Sequence, residues 1–540
     1  MLRKLTAIGV FVLALAPSAY LAWTLRDMPH LGFYHDDSIY WVSAKSLAEG
    51  HGYRIASLPG QPYQTKYPPL YPALLAGIWK INPSFPANLP LATLFAWLLL
   101  PVYLAMVWVF LREYGFGWRE QCILVLVAGL SPVAATFSFS LMPELLFTAL
   151  LIASVLLAER SLSKDASRWL PILAGGCGAL AYLTKSAAGP LLLTAPLYFL
   201  WRRQLVKAAL FLGAMLPAVA GWQWWAARHV SHSWDLVTLY YTNYLGFQIY
   251  NVSWRDLPLV FWHNLDGFLL GTGKLLTFDV PYGAKPLERV VAVAAIAGVV
   301  RLTRRTQKLQ YPLAAAGVSA LLLVWHYVPD QRFVFPLYPL LLGGLWTELA
   351  NVWQALGIAW KKPAAGERVV AFAGAGVLAA LALFVAFTTC FGLFHFLPEL
   401  LGSYRDAFAT RKPAYQWIAK NAPPDANVFA YDDPLLYLYT GRKSCNLPIP
   451  PKLYYHEDDA GIDRLLHSIP DFVRENRLSY ILLTPSDFYR DLHEPGAQHL
   501  AEAVQQNSAF HPAFQAPSVA IYRYIGSPEP SLRSLSVAVR

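Results

Sequence analysis

Charge is scarce in this chain, and so is cysteine. Asp, Glu, Lys and Arg make up 14% of its 540 residues, against about 25% in an ordinary soluble domain. A chain of this length with so few charges cannot clothe a water-soluble globule. The 56% hydrophobic content and the mean hydropathy of +0.37 agree, and together they indicate a polytopic membrane protein. The four cysteines, Cys122, Cys177, Cys390 and Cys445, form no disulfide framework, and the first three sit in apolar runs. There is no Walker A loop, no low-complexity tract and no internal repeat of the solenoid kind. Nor does any basic cluster with interleaved aromatics form a nucleic-acid surface. The net charge of +10 therefore reflects topology rather than a nucleic-acid partner.

Trp, Tyr and Pro, by contrast, are plentiful, with 19, 30 and 40 residues. Trp and Tyr favour membrane interfaces, and Pro is tolerated in packed spans. About eleven apolar segments approach the roughly 20 residues needed to cross a bilayer. The piece from Pro69 to about Ile81 reads instead as an interfacial or re-entrant helix. The N-terminal run to about Leu25 is expected to be an uncleaved first span rather than a signal peptide. Loops carrying Arg3 and Lys4, Arg112 and Arg119, Arg160 and Arg168, Arg202 and Arg203, and Arg301, Arg304 and Arg305 alternate with a second set: the 26–87 loop, the Met142-Pro143-Glu144 turn, the turn at Lys185, the 227–286 loop and Tyr327 to Arg332. By the positive-inside rule the basic set is cytoplasmic. An odd number of spans then puts the N-terminus inside and the C-terminal part outside.

The chain is thus expected to be mainly α, a transmembrane helical bundle over residues 1–399 with a first outer loop at 26–87. A small extracytoplasmic α/β domain follows at 400–526, then a flexible tail at 527–540. In that domain, helical patterns at 411–421, 461–476 and 497–507 alternate with strand-like runs at 427–431, 480–484 and 519–524, which predicts a partly parallel sheet.

On this topology, ionisable residues far apart in sequence reach the same outer membrane level: Asp36 and Asp37, Lys66, Glu144, Lys185 and Arg332. Taken singly, each could be an interfacial anchor, with the Lys and Arg residues snorkelling. Acidic residues snorkel poorly, so the Asp pair and Glu144 point to a site. An outward site has no access to cytosolic nucleotide sugars, so an activated group must arrive on a lipid. A polyprenyl-phosphate sugar suits this, because its phosphate is already a good leaving group. Lys185, Arg332 and Lys66 could hold that phosphate. A carboxylate would take the proton of the incoming nucleophile. One base with a cation cluster suggests transfer with inversion, whereas hydrolysis calls for two opposed carboxylates.

At this point the chain resembles a known family. Asp36-Asp37-Ser38-Ile39-Tyr40 with Ala44 is similar to the first-loop acidic motif of GT-C glycosyltransferases, in the branch of protein O-mannosyltransferases and lipid A aminoarabinose transferases. Lys66-Tyr67-Pro68-Pro69-Leu70-Tyr71, Met142-Pro143-Glu144, Leu183-Thr184-Lys185, and Arg332-Phe333 through Pro336 and Pro339 resemble further motifs of that branch, in the same order. The resemblance implies a hexosyl or pentosyl transferase of the bacterial inner membrane that uses a polyprenyl-phosphate sugar donor, with a lipid, protein or glycan as acceptor. It implies Asp36 as the base, Asp37 and Glu144 orienting it, binding acceptor or helping to hold a divalent metal, and Lys185 and Arg332 on the donor phosphate. The segment before Pro68-Pro69 departs from the aminoarabinose transferases, so no zinc site is carried over and a cofactor stays open.

The alternative is a transporter or flippase of a lipid-linked sugar, for which internal pseudo-symmetry and mid-span charges are expected. A non-catalytic scaffold is the third reading. His229 and His232 have metal-compatible spacing but read as interfacial surface, and Asp432-Asp433 reads as a solvated loop. The Gly176–Ala181 string reads as helix packing.

Overall fold

In hydrocarbon every backbone N–H and C=O must be satisfied within its own segment, so the long apolar runs are confined to helix. The computed structural model describes residues 2–163, 165–278, 285–360, 365–485, 487–488 and 496–526. The tail expected at 527–540 lies outside them. Among the described residues five helices are long and apolar enough to cross a membrane: Arg3–Thr24, Leu89–Glu113, Leu205–His229, Gln331–Trp360 and Arg368–Asn421. A sixth arises if Trp118–Gly129 and Pro132–Phe139, bent by 57°, form one span. The other apolar segments, among them Trp169–Thr184, Ser186–Trp201 and Gln310–Leu323, are shorter helices. The Gly176–Ala181 string lies inside Trp169–Thr184, and Leu70–Ile81 is a helix of 12 residues, as its sequence predicts.

The chain divides into two compact units. The first comprises Met1–Arg26, Thr93–Gln223 and Pro258–Glu399, and the second Asp27–Ala92, Trp224–Leu257 and the described part of Leu400–Arg540. Among its described residues the regular structure of the first unit is helix, with Phe110, Phe137, Phe147 and Tyr311 fully buried. Charges at its helix ends pair locally: Arg160 donates to Glu113 at 2.8 Å, and Glu159 accepts from the backbone N–H groups of Leu309 and Gln310.

The second unit is mixed. Its five strands are β1 (Asn427–Phe429), β2 (Lys443–Cys445), β3 (Tyr480–Leu483), β4 (Phe510–Ala516) and β5 (Val519–Tyr524). They form one sheet in the order β2-β1-β3-β5-β4. β1 is parallel to β2 and β3, with Phe429 opposite Cys445 and Ile481, and β5 is antiparallel to β3 and β4. Ile418 of the helix Leu397–Asn421 packs with Val428, Leu436, Leu482 and Ile521 to form the core of this sheet. The segment Asp27–Ala92 belongs to this unit too. It contributes the helix Asp36–Ala48, an Arg54–Tyr63 antiparallel bridge and the Ser57 carbonyl, which accepts from Ser444 N of β2 at 2.8 Å.

Candidate active site

In the first unit, Glu144 opens the helix Glu144–Arg160 directly after Pro143, where a carboxylate favours the positive end of the helix dipole. Lys185 follows the last residue of Trp169–Thr184 in extended conformation, with φ of −154°. Arg332 lies in the first turn of Gln331–Val334, capped by Asp330, whose Oδ1 accepts from the N–H groups of Arg332 and Phe333 at 2.9 and 3.2 Å. That turn can reach its place because Gly271 of the helix Leu257–Thr277 has no side chain. A Cβ there would lie 2.7 Å from the Asp330 carbonyl carbon. These three candidate residues meet at one atom: Glu144 Oε1 accepts from Lys185 Nζ at 2.9 Å and from Arg332 Nε at 3.0 Å. Glu144 is fully buried while both cations keep some exposure, and its Oε2 has no hydrogen-bond partner among the described residues.

In the second unit, the helix Asp36–Ala48 begins at a strained corner. His35 has φ of +59°, unusual for a residue with a side chain. Asp37 holds this corner together: its Oδ2 accepts from Gly32 N at 3.0 Å and its Oδ1 from Ser38 N at 2.8 Å. Gly32 is required there, with φ of +92° and the Leu435 side chain 2.7 Å from where a Cβ would stand. Asp37 is 1% exposed, and burial pushes its carboxyl up to about 7 despite the two backbone donors. Asp36 is half-buried, and its Oδ1 accepts a short hydrogen bond from the Tyr67 hydroxyl.

Tyr67 is positioned by its own segment. Gln64 Oε1 accepts from the N–H groups of Lys66 and Tyr67, Tyr53 donates to the Tyr67 carbonyl at 2.9 Å, and Thr65 donates to the Thr242 carbonyl. Lys66 stands over three rings, with its ammonium 4.3 Å from the Tyr240 centroid, 5.1 Å from Tyr67 and 5.7 Å from Tyr244. Such cation–π contacts help to fix the position of a lysine head group. His35 is held at both ring nitrogens, by Asp433 Oδ1 at 2.9 Å and by the Tyr240 hydroxyl at 3.0 Å. Tyr241 donates to the same Asp433 oxygen at 2.7 Å.

The six residues singled out in the sequence therefore fall into two groups. Glu144, Lys185 and Arg332 are together in the first unit, and Asp36, Asp37 and Lys66 are in the second. Sequence reasoning missed Tyr67, His35, Tyr240, Tyr241 and Asp433. Tyr67 and His35 are immediate neighbours of Lys66 and Asp36, a signal that could have been read. Asp433 could not be found that way: it read as solvated loop, yet it is completely buried in the first turn of the helix Asp433–Thr440, because His35 and Tyr241 supply the partners that solvent would otherwise provide. His229 stacks on Trp225 and His232 is exposed. Among the described residues no group of three or more His, Cys, Asp or Glu could hold a metal ion, so the open divalent metal gains no donor set.

Residues 66–225, less than half the chain, match the dolichyl-phosphate-mannose-protein mannosyltransferase family, a stretch that includes Lys66, Glu144 and Lys185 but not Asp36 or Arg332. No curated protein sequence matches the chain. Among solved structures, the oligosaccharyltransferase of Archaeoglobus fulgidus has a TM-score of 0.52 at 14% identity, over 91% of this chain and 69% of that one. ArnT from Cupriavidus metallidurans scores 0.48 in the apo state and 0.49 bound to undecaprenyl phosphate, at 13% and 14% identity. The two ArnT comparisons span 90% and 94% of this chain and 92% and 97% of ArnT. Family match and fold bear out the resemblance to GT-C glycosyltransferases drawn from the motifs, and the chain is a multi-pass membrane protein.

Proposed function

We propose that this chain is a membrane glycosyltransferase that moves a hexosyl or pentosyl group from a polyprenyl-phosphate donor to a lipid, protein or glycan acceptor. The observation that carries the reading is the meeting of Lys185 and Arg332 on a single buried Glu144 oxygen. A buried carboxylate of this kind gathers two cations at one place, which suits a phosphate site. The mannosyltransferase match over residues 66–225 supports the same donor chemistry, since that family's description names a sugar on a polyprenyl phosphate.

Each group takes one part of the reaction. The acceptor's O–H or N–H gives its proton to the Asp36 carboxylate as the nucleophile attacks the anomeric carbon. The bond from that carbon to the phosphate oxygen breaks, its electron pair leaves with the polyprenyl phosphate, and Lys185 and Arg332 stabilise the charge that develops. Attack opposite the leaving group inverts the anomeric centre. Tyr67 holds the Asp36 oxygen in place, Lys66 in its tyrosine box supplies fixed positive charge beside the base, and Asp37 secures the turn beneath it. The cytoplasmic N-terminus and outward C-terminal part follow from the basic loops, and a bacterial inner membrane is the setting the motifs imply.

The deciding experiment offers radiolabelled polyprenyl-phosphate sugars to purified protein with membrane extract, comparing wild type with Asp36→Asn. Transfer by wild type, lower by about 10²–10⁴ in the variant with donor binding intact, is the expected result for loss of a general base. Equal turnover removes Asp36 from the mechanism. Binding without turnover in either protein favours a lipid-sugar flippase.

A further inference from the structure

We propose that Asp433 and His35 work as a positioning pair for Asp36, one that fixes the start of its helix and sets the charge beside it; this rests on the glycosyl-transfer reading. His35 is the residue immediately before Asp36, and its carbonyl accepts both the first helical N–H, from Ile39 at 3.2 Å, and the Ser38 hydroxyl at 2.7 Å. Whatever holds His35 therefore holds the turn that presents Asp36. A residue at φ +59° stays there only if its surroundings over-determine it. Two ring bonds do so, one to Asp433 and one to Tyr240. Asp433 is itself anchored, since its carbonyl accepts from the Ser444 hydroxyl next to Cys445 of β2. The pair thus ties the C-terminal sheet to the turn carrying the proposed base.

The same geometry leaves His35 free to change charge without moving. When the ring is neutral, Nε2–H donates to Asp433 and Nδ1 accepts from the Tyr240 hydroxyl. When it is protonated, Nδ1–H donates to the Tyr240 oxygen instead, which needs only a rotation of that hydroxyl. The charged and titratable groups facing it are Asp433 from its helix, Tyr240 and Tyr241 from the helix Leu236–Thr242, Lys66 from the first loop, and Asp36 from its own helix. Burial alone would lower the imidazole. The hydrogen bond and charge of Asp433, with Asp36 nearby, raise it above its ordinary value. An imidazolium beside Asp36 favours the ionised carboxylate, the form that can accept a proton.

The test is the pH profile of kcat/KM for sugar transfer in wild type, Asp433→Asn and His35→Gln. Asp433→Asn keeps the side chain's shape but removes the charge that sustains the imidazolium. The acid limb is expected to move up by about one pH unit, roughly a tenfold loss of activity below it, with donor KM unchanged. The sign follows from the base: losing a neighbouring positive charge makes Asp36 harder to ionise. Well above the pH at which His35 loses its proton, the profiles converge. His35→Gln, which keeps a donor to Asp433 but carries no charge, is expected to shift the limb the same way and decides the matter if Asp433→Asn does not fold. Profiles that superimpose on wild type overturn the pair while leaving glycosyl transfer standing. Two variants that both fail to fold reduce the pair to a structural strut and overturn its charge-setting role. A wild type that transfers no sugar overturns the transfer reading itself, and the pair with it.

Discussion

Asp36 keeps part of its surface open and takes the Tyr67 hydroxyl, whereas Asp37, the next residue, gives both oxygens to the backbone of the 32–38 turn. The sequence pairs them, but their environments assign them different work. In Asp37→Asn one of the two buried N–H groups loses its acceptor, at a cost of about 1–3 kcal/mol in unfolding stability. The variant should also show a flatter dependence of Tm on pH. Burial raises Asp37 from 3.8 to about 7, so its contribution to stability is fully present below about 3.8 and is lost as pH rises through about 7. A Tm profile over that range as steep in the variant as in wild type would show that Asp37 is not the group responsible. At the other cluster, Arg332→Lys keeps the charge but loses the planar fork, so donor affinity measured by direct binding should fall and not be restored.

Helices carry most of this chain, and their apolar runs announced them. The turn before Arg332 was not legible in the same way, because its position depends on a glycine in another helix. In Gly271→Ala the new Cβ meets the Asp330 carbonyl, 2.7 Å away and part of the backbone, so the turn has to shift. Donor binding is expected to drop as in Arg332→Ala while the protein remains helical by circular dichroism; unchanged binding would show that the turn can relax. In the sheet, β1, β3 and β5 were visible as apolar runs, and β2 and β4 were not. β2 has three residues with no alternation, and β4 carries Pro512, which an edge strand tolerates because one face of its ladder needs no donor.

At the scale of the molecule, the second unit collects three stretches that are distant in sequence: 27–92, 224–257 and the chain from Leu400 onward. Its C-terminal stretch supplies Asp433 to His35, Leu435 to the space beside Gly32 and Ser444 to Ser57. Ending the chain at residue 399 is therefore expected to loosen the 27–92 segment, seen as new protease cleavage near residues 50–62, and to abolish transfer even where Lys185 and Arg332 still bind donor. A loop that stays resistant would show that it is built without the C-terminal stretch. Membrane class, helix content and the sheet's parallel core were determined by sequence alone, and the six candidate residues could be singled out there, because scarce charge, apolar length and local motif spacing are properties of neighbours along the chain. Only the tertiary structure decided that Glu144 joins Lys185 to Arg332, that Lys66 is boxed by tyrosines and that Asp433 is buried against His35. Each of those contacts depends on residues brought together by packing across tens to hundreds of positions, and no local pattern encodes such a distance.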